Sequence, residues 1–333
     1  MATTSESLES QCPLCGTGQV QGYYDAEEMM IGLHERFRYC ECSGCGCLRL
    51  MEPPADLSRY YPSEYYSYDR EAIREAYSTR LKRALRKLRV LSVLERPLTQ
   101  RKISNFFRPA PKQIECLKGL GISRDDFILD VGCGVGAIVN ELANAGFKHV
   151  KGIDPYVSAP ILYETGAVVE TAELNQLPRK EDWDVIMMSH VLEHLPRQHE
   201  TFEEVRVRLR VNGLFLVRVP LVDSAAWEKY GVHWVQLDAP RHLFLHTKKS
   251  LAILSSKHGF ALQSIRYDSD AFQFWGSEQY LKDIPLMHEH SYARSPQGSP
   301  FGAGQIAAFN RRALELNAQG LGDQASFAFR RMD

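Results

Sequence analysis

The stretch Phe127-Ile-Leu-Asp-Val-Gly-Cys-Gly-Val-Gly136 decides the fold of this 333-residue chain. Apolar residues on both sides of Asp130 predict a short buried strand, and three glycines at alternate positions predict a tight turn into a helix at 137–145. The G-x-G-x-G spacing differs from the G-x-G-x-x-G fingerprint that holds a pyrophosphate. The carboxylate of Asp130 at the loop entrance would repel a pyrophosphate, whereas it suits a ligand that carries an ammonium group.

Similar short apolar segments recur along the chain, and helical patterns such as 137–145 and 202–209 fill the gaps. This alternation predicts βαβ units and an α/β fold with a doubly wound, mostly parallel sheet. Asp154 ends the second strand, at a distance from the loop that lets an acid accept the hydroxyls of a ribose. The predicted strands are 127–131, 150–154, 167–170, 183–188, 213–220, 260–266 and 325–330.

The glycine loop and Asp154 together resemble the class I S-adenosylmethionine-dependent methyltransferases. The segment Met188-Ser-His-Val-Leu-Glu-His-Leu-Pro196 is similar to the one after the fourth strand in the family's small-molecule and glycan subfamilies. The resemblance covers about residues 113–269, with a closing strand near 325–331. It implies a Rossmann-like sheet of seven strands, one of them reversed. It also implies a set of S-adenosylmethionine-binding residues: Asp130, Gly132, Cys133, Gly134, Gly136, Asp154, Ala172, Glu173 and Ser189.

Six of the eight cysteines fall within the first 47 residues. Two knuckles of the form C-x-x-C-G, Cys12/Cys15 and Cys42/Cys45, predict a structural zinc ribbon in which four sulfurs fill the tetrahedral shell of Zn²⁺. A closed shell of this kind stabilises and does not catalyse. The nearby Cys40 and Cys47 leave the register of the ligand set open.

An N-terminal zinc ribbon joined to this core resembles bacterial methyltransferases that act on sugars and surface glycans. The Tyr-Tyr-Pro-x-x-Tyr-Tyr segment at 60–66 and Trp234-Val-Gln-Leu-Asp-Ala-Pro-Arg-His242 fit that group. The resemblance implies a small-molecule or lipid-linked sugar acceptor. Because little sequence follows the last predicted strand, we expect no counterpart of the extra C-terminal domain of the deoxysugar C-methyltransferases, and we favour O-methylation over C-methylation. His242 and His190 are the predicted bases, and Trp234, Asp238 and Arg241 are predicted to shape the acceptor pocket.

These assignments divide the chain into three parts. The zinc ribbon is expected at 1–54 and a linker with a helical segment at 55–112. The methyltransferase domain is expected at 113–333, with an acceptor lid at about 221–258 and an insertion at about 274–320.

Three other functions are weighed against the sugar methyltransferase. The letters His190-Val-Leu-Glu-His194 also fit the H-x-x-E-H pattern of some zinc proteases, but the segment follows a buried strand at the edge of the sheet. The runner-up is an RNA methyltransferase that docks through the zinc ribbon and the basic helix at 79–103, but the fourth predicted strand is not followed by the Asn/Asp-Pro-Pro-Tyr motif typical of base-amine methylation. A catalytically dead binding module is disfavoured by the intact Asp130 loop and Asp154.

The charge and the N-terminal sequence of the chain indicate where the protein is expected to reside and which partners are not favoured. Forty basic and forty-one acidic residues give a net charge of −1, so nothing in the total favours nucleic acid. Met1-Ala-Thr-Thr-Ser-Glu-Ser resembles no export signal, and we expect a cytoplasmic protein.

Residues 79–103 carry nine basic side chains against one acid. We expect this helix to pack its leucines on the core; the second interpretation is contact with the inner face of an anionic membrane. The oligomeric state is not predicted.

Overall fold

The computed structural model describes residues 11–17, 19–61, 70–94 and 111–333. The predicted tyrosine-rich linker beyond residue 61 and the basic residues after 94 lie outside these ranges. Twelve strands are described: β1 Val20–Glu27, β2 Arg36–Cys42, β3 Leu48–Leu50, β4 Phe127–Val131, β5 His149–Ile153, β6 Ile161–Leu162, β7 Val168–Glu170, β8 Trp183–Ser189, β9 Leu209–Pro220, β10 Phe244–Leu245, β11 Phe260–Tyr267 and β12 Gln324–Arg331.

Nine α-helices lie within the described ranges, together with short 3-10 turns. They are α1 Arg70–Ala76, α2 Arg80–Leu94, α3 Lys112–Glu115, α4 Ala137–Ala145, α5 Gln198–Arg206, α6 Ala225–Tyr230, α7 Lys248–Lys257, α8 Phe272–Tyr280 and α9 Ala303–Gln319. No helix among the described residues is long and apolar enough to cross a membrane.

The central sheet has the strand order β11-β12-β9-β8-β4-β5-β7-β6. Strands β9, β8, β4, β5 and β7 pair in parallel, and β12 runs antiparallel to both of its neighbours. The predicted α/β fold with a mostly parallel sheet is therefore confirmed; two strands, β12 and β6, are reversed instead of the one expected. The sheet has eight strands instead of seven because a turn at Tyr163–Gly166 folds the two-residue β6 back along β7.

The cysteine-rich segment forms its own antiparallel sheet, and the rest of the chain completes it. The order is β1-β2-β3-β10, so its last strand comes from the predicted lid. Both knuckles also touch the larger part of the protein: the carbonyl of Leu14 lies 3.1 Å from Nε2 of His199, and Thr247 Oγ1 donates to the carbonyl of Cys45. The two sheets share one buried core.

The helical segment before the large sheet differs from expectation. The helical segment expected within 55–112 forms two helices before residue 95, α1 and α2. Leu81, Leu85 and Leu88 of α2 are exposed, so the expectation that its leucines pack on the core is wrong for these three. It is confirmed for Leu91 and Leu94, which are half-buried and pack against the core. The side of α2 that meets the protein carries Arg86, whose Nη1 lies 3.2 Å from Glu141 of α4, and the fully buried Val90.

The region predicted as an insertion at 274–320 contains a 17-residue helix, α9, that the sequence did not indicate. Only Ala313 and Leu316 of this helix are buried, so its sequence has a weak apolar period. The helix ends at Gly320, whose φ of 71° is the left-handed conformation expected at a helix C-terminus.

Candidate functional site

The glycine loop connects β4 to α4 at the carboxyl edge of the sheet, where α/β folds bind ligands. Gly132 and Gly136 have φ values of 70° and 82°, which side chains rarely adopt. A Cβ on Gly132 would lie 2.4 Å from Val191, and one on Gly136 would lie 2.4 Å from Val169. The loop therefore packs directly against the segment after β8 on one side and β7 on the other, and only glycine fits at both positions.

Asp154, directly after β5, holds this loop in place. Its Oδ2 accepts a hydrogen bond from the Gly134 amide at 2.9 Å, and its Oδ1 accepts one from the Tyr156 amide at 2.9 Å. The carboxylate is thus fixed beside the loop and keeps lone pairs for a further donor. This arrangement fits the predicted ribose-binding acid.

Asp130 ends β4 beneath the loop and is buried. Burial and the negative charge of Asp154 raise its pKa to about 7. Burial also raises the pKa of Asp154, against the opposing hydrogen bonds from Tyr156 and Gly134. Each of these two carboxylates destabilises the negative charge of the other. A cationic ligand between them would relieve this repulsion.

The other predicted cofactor residues flank these two acids. Cys133 Sγ lies against Gly152 of β5 and contacts the carbonyl of Gly134, so it packs between the loop and β5. Glu173 caps a short 3-10 turn after β7, and the half-buried Ala172 precedes it. Both lie one strand beyond Asp154, because β5 pairs with β7.

His190 follows β8 beside the glycine loop. Its φ of 54° is rare for a residue with a side chain, and such strain clusters at functional sites. Its Nδ1 lies 3.2 Å from Oε1 of Glu193, and 27% of its side chain is exposed. Burial and the positive charge of Arg218 lower its pKa, so the ring is neutral at pH 7.

His242 comes from a distant segment and meets the same glutamate. Its Nδ1 lies 2.8 Å from the carbonyl of Gln236, its Nε2 lies 3.9 Å from Oε1 of Glu193, and its side chain is 8% exposed. The structure therefore brings the two predicted bases to one carboxylate. Burial raises the pKa of Glu193, but the hydrogen bond and charge from His190, with the charges of His194 and His242, lower it to about 2.

The sequence analysis assigned Glu193 a role only as a possible zinc ligand in the disfavoured H-x-x-E-H protease pattern, whereas in the structure it is central to this cluster. The available signal was a charged residue between Leu192 and Leu195 in an otherwise apolar turn. Its partner His242 lies 49 positions later, and no periodicity or spacing in the sequence connects the two.

The other residues predicted to shape an acceptor pocket are internal. Trp234 is fully buried, and its indole N–H donates to Asp323 at 3.0 Å. Arg241 is also buried and pairs with both Asp238 and Glu28. The sequence analysis missed Glu28, whose carboxylate also accepts backbone N–H groups of residues 30–33. Trp234 and Arg241 therefore hold the lid segment to the ribbon and the sheet, and they do not face an open pocket.

A small space of about 220 Å³ opens at the carboxyl ends of β8 and β9. Ser189 and Arg218 line it, and Gln113 and Cys116 close it from α3 and the residue that follows. Within the described part of the chain, the buried Ser189 Oγ has no hydrogen-bond partner. Arg218 donates to Asp268 at 2.6 Å. In the sequence, Arg218 stands out only as an arginine in an apolar strand, and nothing there indicates Asp268 as its partner.

The four knuckle cysteines form one cluster. Their four sulfur atoms all lie within 4.8 Å of one another. The sulfurs of Cys12 and Cys45 are 3.8 Å apart, and those of Cys15 and Cys42 are 3.4 Å apart. Tetrahedral zinc with bonds of about 2.3 Å needs sulfurs about 3.8 Å apart, so this donor set fits the ion. Cys40 and Cys47 lie outside the cluster: Cys40 Sγ accepts from Arg49 and Cys47 Sγ contacts the Leu48 carbonyl. The open register resolves to the two predicted knuckles.

The chain is similar to known proteins in two comparisons. A family model described as a methyltransferase domain matches residues 70–265. The chain is similar to geranyl diphosphate C-methyltransferase from Streptomyces coelicolor A3(2), with 14% identity over 64% of this chain and 75% of that one, at a TM-score of 0.41. It is also similar to an S-adenosylmethionine dependent methyltransferase from Mesorhizobium loti, with 18% identity over 62% and 91% of the two chains, at a TM-score of 0.38.

No curated protein matches the chain. The family match spans more than half of the 333 residues and includes the glycine loop, Asp154 and the histidine segment. The chain therefore belongs to the methyltransferase-domain family, and methyl transfer from S-adenosylmethionine is the chemistry that this membership supports.

Proposed function

We propose that this protein transfers a methyl group from S-adenosylmethionine to a hydroxyl of a sugar or glycan intermediate. The observation that carries the proposal is the placement of His190. It lies next to the glycine loop, and its neighbour Ser189 lines the space at the ends of β8 and β9. A proton acceptor beside the loop predicted to hold the cofactor thus adjoins a small space that Ser189 and Arg218 help to line.

The residues predicted to hold S-adenosylmethionine are the glycine loop, Asp130 and Asp154. Asp154 would accept the ribose hydroxyls, and the buried Asp130 favours the positive charge of the ligand. Glu173, Ala172, Cys133 and Ser189 complete the predicted set around these strands. Bound S-adenosylmethionine supplies an electrophilic methyl group, so the protein has to align the acceptor and remove its proton.

His190 is the base that we propose, ahead of His242. The accessible His190 is held through Nδ1 by Glu193, which leaves Nε2 free to take the acceptor's proton. The buried His242 is less open to an acceptor than His190, since 8% of its side chain is exposed against 27%. A base in this position contributes roughly 10²–10⁴-fold to a methyl transfer that needs proton removal.

Two observations support a hydroxyl-rich acceptor. The unpartnered Ser189 Oγ and the Arg218–Asp268 pair offer hydrogen bonds of both senses to a polar molecule. The ribbon's knuckles contact His199 and Thr247, so part of their surface faces the protein itself and not RNA, the acceptor of the runner-up function.

The test is methyl transfer from isotopically labelled S-adenosylmethionine to nucleotide-linked sugars, lipid-linked glycans and total RNA. We expect label on a sugar, with an O-methyl signal in the carbon NMR spectrum. A C-methyl signal would replace O-methylation by C-methylation, and label on RNA alone would overturn the sugar proposal.

We further propose that Cys12, Cys15, Cys42 and Cys45 hold a structural Zn²⁺. The sulfur distances support this, and so do the contacts through which both knuckles join the ribbon to the rest of the protein. Changing Cys45→Ser should release this ion and unfold the ribbon. Cys40→Ser is the matched control, because Cys40 lies on the same sheet outside the cluster; metal retention by Cys45→Ser would contradict the assignment.

Helix α2 is the proposed contact with an anionic membrane surface. Its exposed Leu81, Leu85 and Leu88 lie on one helical face among basic side chains, the pattern of an interfacial helix. Cosedimentation with vesicles containing phosphatidylserine should fall when Leu85 is changed to Glu. Equal sedimentation of the two proteins, or no sedimentation of either, would contradict this contact.

A further inference from the structure

A second polar cluster, distinct from the cysteines, lies where the turn after β8 meets the lid segment. Glu193 and His194 come from the turn, and His242 comes from the lid. One possible ligand atom of each lies within 4.8 Å of the other two. Nε2 of His242 lies 3.9 Å from Oε1 of Glu193. Bonds of 2.0–2.2 Å to one tetrahedral cation would place such atoms roughly 3.3–3.6 Å apart. The His242–Glu193 pair therefore needs a contraction of a few tenths of an ångström, and any pair at the 4.8 Å limit needs one of roughly 1–1.5 Å.

Both histidine rings are oriented in the way that metal ligands usually are. Nδ1 of His194 lies 2.8 Å from the carbonyl of Arg241, and Nδ1 of His242 lies 2.8 Å from the carbonyl of Gln236. A carbonyl can only accept, so each Nδ1 carries the proton and each Nε2 carries a lone pair. A backbone carbonyl on the far nitrogen is the usual support of a metal-bound imidazole.

The charges around the cluster are unbalanced in the negative direction. The Glu193 side chain is fully buried, and within the described residues its Oε2 has no hydrogen-bond partner. The neighbouring Asp238 has Oδ2 3.8 Å from Nε2 of His242. The nearby cation, Arg241, is already shared between Asp238 and Glu28. A buried carboxylate without a full partner is costly, and a bound cation would relieve that cost.

We propose that Glu193, His194 and His242 form a second metal site, which binds one divalent transition cation of the zinc type. Two imidazoles and one carboxylate are a ligand set that zinc accepts. Three protein ligands leave a position for water or for an oxygen of a bound molecule. The ligands of this site are nitrogen and oxygen atoms, whereas those of the cysteine cluster are sulfur atoms. The site uses His242 and not His190 as a ligand. It is compatible with His190 as the base, because Oε1 of Glu193 keeps a second lone pair beside its contact with His190 and Oε2 has no partner among the described residues.

This site differs from that of an H-x-x-E-H protease, although it contains part of that motif. His190 has a left-handed backbone and is followed by a single 3-10 turn at Leu192–His194, so His190 and His194 do not share one face of an α-helix. The third ligand comes from outside the motif.

The experiment measures metal content in the full-length protein after equilibration with micromolar Zn²⁺ and removal of free ion. We expect about two ions per chain in the wild type and about one in His242→Gln and in Glu193→Gln. His233→Gln is the matched control, because His233 is exposed on the same lid segment, and it should retain both ions. Cobalt substitution separates the two sites, since only the cysteine site gives a thiolate charge-transfer band.

X-ray absorption of the zinc-loaded wild type gives an answer that does not depend on variant folding. We expect nitrogen and oxygen neighbours near 2.0–2.1 Å in addition to sulfur near 2.3 Å. A sulfur-only shell with one ion per chain would overturn the proposal, and the cluster would then be a hydrogen-bonded one. Retention of both ions by His242→Gln and Glu193→Gln would overturn it as well.

Discussion

The carboxyl edge of the sheet has two halves that are built differently. The glycine half, residues 130–136 with Asp154, is formed by consecutive residues and by backbone N–H groups that bind one carboxylate. The histidine half, residues 189–194 with 234–242, is formed by side chains from segments some 40 residues apart that meet at Glu193. Val191 joins the two halves, because it packs directly on Gly132. We therefore expect changes in the glycine half to alter cofactor binding, and changes in the histidine half to alter turnover or stability.

The largest effect is expected for His190→Gln. Loss of a positioned base should lower kcat by roughly 10²–10⁴-fold, while the affinity for S-adenosylhomocysteine stays unchanged. Steady-state kinetics with the identified acceptor measures the first quantity, and calorimetry measures the second. His233→Gln serves as the control. If His242→Gln lowers kcat this far and His190→Gln does not, the base is His242, the first candidate from the sequence.

The next effect concerns Arg241. Changing Arg241→Met leaves Glu28 and Asp238 buried without their cation, which should lower the free energy of unfolding by roughly 3–5 kcal/mol. Denaturant unfolding measures this loss. The matched control is Arg59→Met, whose ion pair with Glu35 is more than a third exposed on both sides and should matter by less than about 1 kcal/mol. A raised acceptor KM with unchanged stability would return Arg241 to the acceptor pocket.

The smallest effect is a pH dependence in the glycine half. The folded protein keeps a proton on Asp130 up to a pKa of about 7, whereas the unfolded chain releases it near pH 4. The contribution of Asp130 to stability therefore falls as the pH rises through this window. Asp130→Asn should raise Tm by several degrees at pH 8 and leave it nearly unchanged at pH 4.

Glu289 is exposed, so Glu289→Gln should leave Tm unchanged at pH 4 and at pH 8. It is the control for the Asp130→Asn measurement. Equal shifts of Tm by Asp130→Asn at pH 4 and pH 8 would show that packing, and not charge, sets the effect.

The same contrast explains what the sequence could predict. The glycine loop, Asp154 and the two cysteine knuckles are local patterns, and helix Ala137–Ala145 and strand Phe127–Val131 have the bounds expected from them. Tertiary packing decided the rest. In the first half of α2 the face that meets the protein carries Arg86, and Leu81, Leu85 and Leu88 are exposed, because the arginine stem and its ion pair with Glu141 cover that side.

Long-range pairing was also hidden from the sequence. Strand Phe244–Leu245 completes the ribbon's sheet although it lies nearly 200 residues later, and Glu28 meets Arg241 over a similar distance. No spacing rule connects such positions. The sequence accordingly named His190 and His242 as candidates, but only the fold shows that Glu193 contacts His190 and lies beside His242.

The central claim is that the glycine half binds S-adenosylmethionine through Asp154. The most direct measurement is isothermal titration of S-adenosylhomocysteine into the wild type and Asp154→Ala, with Glu164→Gln on an exposed turn as the control. We predict that the wild type and the control bind alike, and that Asp154→Ala binds about 30- to 1,000-fold more weakly because the ribose hydroxyls lose a charged acceptor. Equal affinity of Asp154→Ala and the wild type, or no binding by the wild type, would contradict the account.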